Sequence, residues 1–144
     1  MLIESDLFIA YMKKSDWLKP KAEEIFKAVN SKHLKGVQAS SEVLHEIYYV
    51  FVENAPVSII LGNAARMATM ENIVYVDATR EIYLSALELV STYGLSSIFD
   101  AIYAATALTE MVPDHTILST DKAYDRVPGL KRVDPRTLEI PPTI

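Results

Sequence analysis

Five short apolar runs are spread along the chain, and most successive runs are separated by stretches whose apolar residues repeat at helical spacing. The runs are Met1 to Ile3, Gly36 to Ser40, Ile73 to Val76, Thr116 to Ser119 and Leu130 to Val133. Strands joined by helices cannot pair as hairpins, so the pattern predicts an α/β domain. Its central sheet of about five strands should be mostly parallel and covered by helices on both faces, a three-layer α/β/α sandwich.

Helices are expected at Leu7 to Met12, at Ser15 to Asn30 with Trp17, Leu18, Ala22, Ile25 and Phe26 on one face, and from Ser40 or Ser41 through Phe51. Pro56 restarts a fourth that runs to about Met70. A fifth is capped by Asp77 or Thr79 and closed by Gly94, and a sixth spans about Ser97 to Glu110. At 144 residues, with no repeat or linker, residues 1–144 are expected to form a single domain.

The apolar segments carry acids where acids are costly. Glu4 and Asp6 follow the first strand, Glu46 stands between Leu44 and Ile47, Asp100 opens an otherwise apolar helix, and Asp121 follows the fourth strand. A buried ionised carboxylate needs a cation or several donors, so the repetition points to one shared divalent metal site. In open parallel sheets the ligand crevice lies beyond the carboxyl ends of the strands, where Glu4, Asp6 and Asp121 stand.

Local alternatives exist for each acid. Ser97-x-x-Asp100 matches a capping box, Asp121 is suited to cap the turn at Tyr124, and Asp125 reads as a second ligand or a surface residue. Glu42 and Glu53 look exposed, and His45 lacks a second histidine or cysteine at ligand spacing.

With no cysteine, thiolate nucleophiles and zinc-thiolate sites are excluded. The start shows no secretory pattern, and no apolar run nears the roughly 20 residues of a membrane span, so a cytoplasmic protein without membrane attachment is expected. A net charge of −5 argues against a global field for nucleic acid. Yet seven of the fourteen basic residues (Lys13, Lys14, Lys19, Lys21, Lys27, Lys32 and Lys35) fall in one short stretch, either a solvated helix face or a phosphate contact.

Together the acidic segments resemble the PIN-domain nucleases, and among them the VapC-type toxins. Glu4-Ser5-Asp6-Leu7-Phe8-Ile9-Ala10-Tyr11 is similar to the opening Asp-Thr/Ser-Ser/Asn/Asp motif, and Ser41 to Tyr49 resembles the glutamate-bearing helix through Glu46. Asp100-Ala-Ile-Tyr-Ala-Ala resembles the Asp-Ala-x-x-Ala-Ala helix, and Ser119-Thr120-Asp121 the closing Thr-x-Asp segment. One departure stands out: register places Glu4, not Asp6, on the first aspartate.

The resemblance implies an endoribonuclease dependent on Mg²⁺ or Mn²⁺, hard cations that suit an all-oxygen site. Glu4 or Asp6 with Asp100 and Asp121 would hold the metal, and Glu46 would orient a second ion or the attacking water. Ser5, Thr120 or Asp125 would steady a ligand or the substrate. RNA is then the substrate, and a homodimer with a small antitoxin partner is implied. Two alternatives remain. A PIN-like domain with lost activity could serve assembly or RNA binding. A receiver-like module would use Asp77 as phosphoacceptor with Glu4, Asp6, Thr120 and Lys131.

Overall fold

Leu2 and Ile3 are fully buried and form the central strand of the sheet, too short for any periodicity to reveal. They belong to a computed structural model that describes residues 1–142. Five strands, β1 (Leu2–Ile3), β2 (Val37–Ser40), β3 (Ile73–Val76), β4 (Thr116–Leu118) and β5 (Lys131–Val133), lie in the order β3-β2-β1-β4-β5. All four pairings are parallel, with Leu2 opposite both Gln38 and Ile117.

Six α-helices cover this sheet: α1 (Ser5–Met12), α2 (Lys19–Asn30), α3 (Glu42–Phe51), α4 (Val57–Ala68), α5 (Arg80–Tyr93) and α6 (Ile98–Ala107). α1 packs on α2 and α3, and α3 on α4, while α5 packs on α6 and α6 on β2 and β4. The core between them includes Phe8, Phe26, Ile47, Tyr103, Ile117 and Tyr124, each almost fully enclosed. No single helix among the described residues is long and apolar enough to cross a membrane.

Several element boundaries differ from those expected, each for a local reason. The second helix begins at Lys19 rather than Ser15, because the Asp16 carboxylate accepts the Leu18 N–H (2.9 Å) and holds the preceding residues in a turn. Trp17 therefore lies outside the helix, 68% exposed, beneath the Arg136 guanidinium at 5.7 Å, and not on the buried face. The sixth helix stops at Ala107, where Thr106 and Thr109 hydroxyls bond to backbone carbonyls. Thr79, not Asp77, caps α5, accepting the Ile82 N–H (3.3 Å).

The chain leaves β1 on one side to build β2 and β3, then returns to place β4 on the other side of β1. The strand order thus reverses between β1 and β4. Their carboxyl ends frame the crevice typical of such a switch point.

Candidate active site at the carboxyl ends of β1 and β4

Glu4 is the residue at which β1 becomes α1. Its backbone N–H still donates to Leu118 O in the sheet (3.1 Å), while its side chain caps the helix by accepting the Asp6 N–H (3.4 Å). The carboxylate is buried and engaged at both oxygens: Ser5 Oγ donates to Oε1 (2.7 Å) and Ser119 Oγ to Oε2 (3.0 Å). Serines from two segments thus supply the donors that a buried carboxylate requires.

Asp6, in the first turn of α1, faces the same crevice. Its Oδ2 accepts both the backbone N–H and the hydroxyl of Thr120, at 3.0 and 2.9 Å. Its Oδ1 is buried and has no hydrogen-bond partner among the described residues. An orphaned oxygen of that kind calls for an explanation.

Glu46 projects from α3, half-buried, and accepts a hydrogen bond from the Tyr103 hydroxyl (3.3 Å). Asp100 projects from the first turn of α6, half-buried, and accepts one from the Tyr124 hydroxyl (3.4 Å). The capping box is not formed: Ser97 alone caps α6 through the Phe99 N–H (3.1 Å), and Asp100 is left to the crevice. Asp121 is exposed and caps the 3₁₀ turn Lys122–Arg126 through the Ala123 N–H (2.9 Å). Asp125 stands apart, its carboxylate forked to Arg132 at 2.9 and 3.2 Å.

Glu4, Asp6, Glu46 and Asp100 all hold their protons more tightly than free carboxyls. Burial raises the Glu4 carboxyl well above its ordinary range, and the Asp6 charge raises it further. Burial also lifts Asp6 and Glu46. Asp100 is pushed up to about 6, first by burial and then by the charges of Asp121 and Glu46. Clustered like charges with too few donors hold protons that a cation would displace.

Among the described residues, no three Asp, Glu or His side chains already stand in position to ligate one ion. The residues present nonetheless fit a hard divalent cation. The donors are all oxygen, and the free Oδ1 of Asp6 lies beside Glu4, Glu46 and Asp100, whose carboxyls are all raised above their ordinary range.

Glu42 was expected at the surface and is instead buried at the start of α3. It accepts from the Tyr83 hydroxyl (2.5 Å), and its Oε2 lies 3.1 Å from His45 Nδ1. His45 is exposed, as are Tyr48 and Tyr49, while Phe51 packs partly on the core. No sequence signal marks Glu42 as buried, since its partner Tyr83 lies on α5.

A family model described as the PIN domain matches residues 2–130. No curated protein matches in sequence. Among solved structures, the VapC20 toxin of Mycobacterium tuberculosis, described as cleaving the sarcin-ricin loop, superposes with a TM-score of 0.68 at 16% identity, over 86% of this chain and 92% of its own. VapBC2 of Rickettsia felis, bound to a fragment of its promoter DNA, gives 0.66 at 15% identity over 92% and 96%. A toxin-antitoxin complex of Klebsiella pneumoniae gives 0.63 at 17% over 93% and 96%. At these identities the likeness is one of fold.

Proposed function

The chain belongs to the PIN domain family, and from that premise we propose that it is a metal-dependent endoribonuclease hydrolysing RNA phosphodiester bonds. The observation that supports this reading is the unpartnered Asp6 Oδ1 beside a set of interacting carboxylates, in which Asp100 feels the charges of Asp121, Glu46 and Asp6, and Glu4 those of Asp6 and Asp100.

Asp6, Asp100 and Asp121 are the residues that would hold Mg²⁺ or Mn²⁺. Glu4, assigned to the first acidic position by register, has both oxygens occupied by Ser5 and Ser119. Asp6 has one to spare, so it takes over as ligand and Glu4 sets the geometry of the β1 and β4 ends around it. When bound, such a cation lowers the pKa of a water and neutralises charge gathering on the scissile phosphate. Glu46, which accepts from the Tyr103 hydroxyl, would orient a second ion or the attacking water, and in the latter case accept its proton. Thr120 fixes the Asp6 carboxylate through two donors to Oδ2, which leaves Oδ1 available to a cation.

The structural neighbours are described as toxins or toxin-antitoxin complexes. We extend that role to this chain as the toxin of such a pair, acting in the cytoplasm as a homodimer and restrained by a small antitoxin. A second reading, an inactive PIN-like domain serving assembly, draws on the saturated carboxylate of Glu4. Mn²⁺ calorimetry separates the two, because an inactive scaffold takes up no ion through these carboxylates.

The deciding experiment is cleavage of a mixed RNA pool with and without Mn²⁺, beside Asp100→Asn. Removing groups that merely support metal ligands costs roughly 10- to 100-fold, so loss of a ligand should lower the rate by at least about a hundredfold. Undiminished cleavage by the variant would remove Asp100 from the site, and cleavage indifferent to EDTA would remove the metal.

A further inference from the structure

The seven lysines between positions 13 and 35 separate into distinct groups once folded. Lys21 is taken up by Leu138 O and Glu24, and Lys32 and Lys35 lie near the start of β3. Lys13, Lys14, Lys19 and Lys27, from the end of α1 and from α2, instead line one cavity of about 580 Å³, to which α4 adds Arg66. Five cations meet there with a single acid, Glu23, in a chain that carries more acids than bases.

Two of the five are partly neutralised, Lys13 by Asp16 at 3.8 Å and Lys19 by Glu23 at 3.7 Å. Lys14, Lys27 and Arg66 have no carboxylate partner among the described residues. Gathering unpaired cations from α2, α4 and the loop after α1 around a concavity works against the fold unless an anion enters.

The occupant is narrowed by what else lines the cavity. Apart from Tyr11 and Met12 the lining residues are polar or charged, so the apolar face of an amphipathic peptide would find only two apolar side chains to anchor on. The apolar groove is the neighbouring one, with Phe51, Ile59 and Ile60. A phosphodiester backbone asks for what this cavity has, several cations and hydrogen-bond donors without shape-specific pockets.

Its place on the molecule gives the cavity a partner. α1 begins at the carboxylates, with Ser5 and Asp6, and ends at the cavity, with Tyr11 and Met12, a length of roughly 12 Å for eight helical residues. We infer that the cavity ringed by Lys13, Lys14, Lys19, Lys27 and Arg66 is a second RNA contact, which holds backbone phosphates of the substrate strand away from the bond to be cut. The inference rests on the nuclease reading above for its substrate class.

The test is RNA binding without cleavage. Fluorescence anisotropy with a labelled single-stranded RNA in EDTA is compared across salt for the wild type, for a Lys14→Ala, Lys27→Ala, Arg66→Ala triple variant, and for a charge-matched control (Lys32→Ala, Lys35→Ala, Lys131→Ala). Each phosphate contact on a single strand contributes roughly 0.7 to the slope of log K against log salt, so the first variant should flatten it by about 2. Its affinity at low salt should fall at least tenfold, and the control should bind like the wild type.

Equal losses in the two variants would mean net charge alone acts, and unchanged binding in the first would mean the cavity takes no RNA; either overturns the inference. Displacement of the RNA by polyglutamate as readily as by unlabelled RNA would assign the cavity to an acidic protein segment instead. A protein that binds RNA through these residues yet cleaves none would overturn the catalytic reading and leave this one standing. Cleavage with unchanged binding in the cavity variant would do the reverse.

Discussion

Asp6 and Glu4 differ less in charge than in what their oxygens touch. Glu4 has a serine donor on each oxygen and Asp6 has one oxygen without any, which no motif comparison can tell, because register alone assigns Glu4. The half-buried placing of Asp100 and Glu46 near one another was legible from the sequence, since acids inside apolar helices have few structural uses, and their part in catalysis stays a proposal. For Asp125 the sequence left a ligand or a surface residue open, because the pairing with Arg132 that holds it depends on where β5 lies.

The site's strain has a pH signature. The Asp100 carboxyl moves from an ordinary 3.8 up to about 6 in the cation-free protein, so the folded state holds its proton more tightly than the unfolded chain. A raised acid favours folding below its unfolded value, and that contribution is lost as pH rises through the folded value. Stability in EDTA should therefore fall between pH 4 and pH 6, with Glu4, Asp6 and Glu46 acting in the same direction. Asp100→Asn should shrink that fall, as read by calorimetric Tm against pH. An identical pH profile in the variant would mean that Asp100 is not under this strain.

At the scale of elements, β3 and α6 could be read directly, one from four consecutive β-formers and the other from its run of small residues. α6 is buried almost all round, with Ala101, Ala104, Ala105 and Ala107 enclosed, and those small side chains allow its approach to α5 and the sheet. What escaped the sequence were features set by distant partners. Glu42 is covered because Tyr83 reaches it from another helix, and Trp17 is exposed because Asp16 holds a turn that delays the start of α2 to Lys19.

Gly94 closes α5 with φ +66° and opens the corner into α6, so its requirement is visible in both sequence and structure. A Cβ there would meet nothing within 4 Å, which leaves backbone strain as the whole cost of Gly94→Ala. That strain should destabilise by about 1 kcal/mol. The corresponding loss in Tm is about 3 °C, checked by thermal melting, and an unchanged Tm would show that the corner relaxes to another backbone conformation. Tyr83→Phe belongs beside it: the buried Glu42 would lose one of two partners, with a loss of about 1 kcal/mol in urea unfolding.

For the whole molecule, the reversal of strand order between β1 and β4 decides where chemistry gathers. Asp6, Glu46, Asp100 and Asp121 reach that crevice from α1, α3, α6 and the loop after β4, and the net negative charge of the chain is in part concentrated there. The same assembly leaves apolar side chains outside. On α5, Tyr83, Leu84 and Leu87 are 40%, 62% and 56% exposed, and their spacing of three and four residues sets them along one stripe of the helix. A monomer rarely leaves such a stripe uncovered. The proposed homodimer would bury it, so the wild type should sediment as a dimer at high micromolar concentration. Leu84→Glu with Leu87→Glu should give a monomer with an unchanged circular dichroism spectrum, because neither side chain belongs to the core. A wild type that sediments as a monomer would remove the proposed homodimer. A double variant that remains a dimer would move the interface to another face.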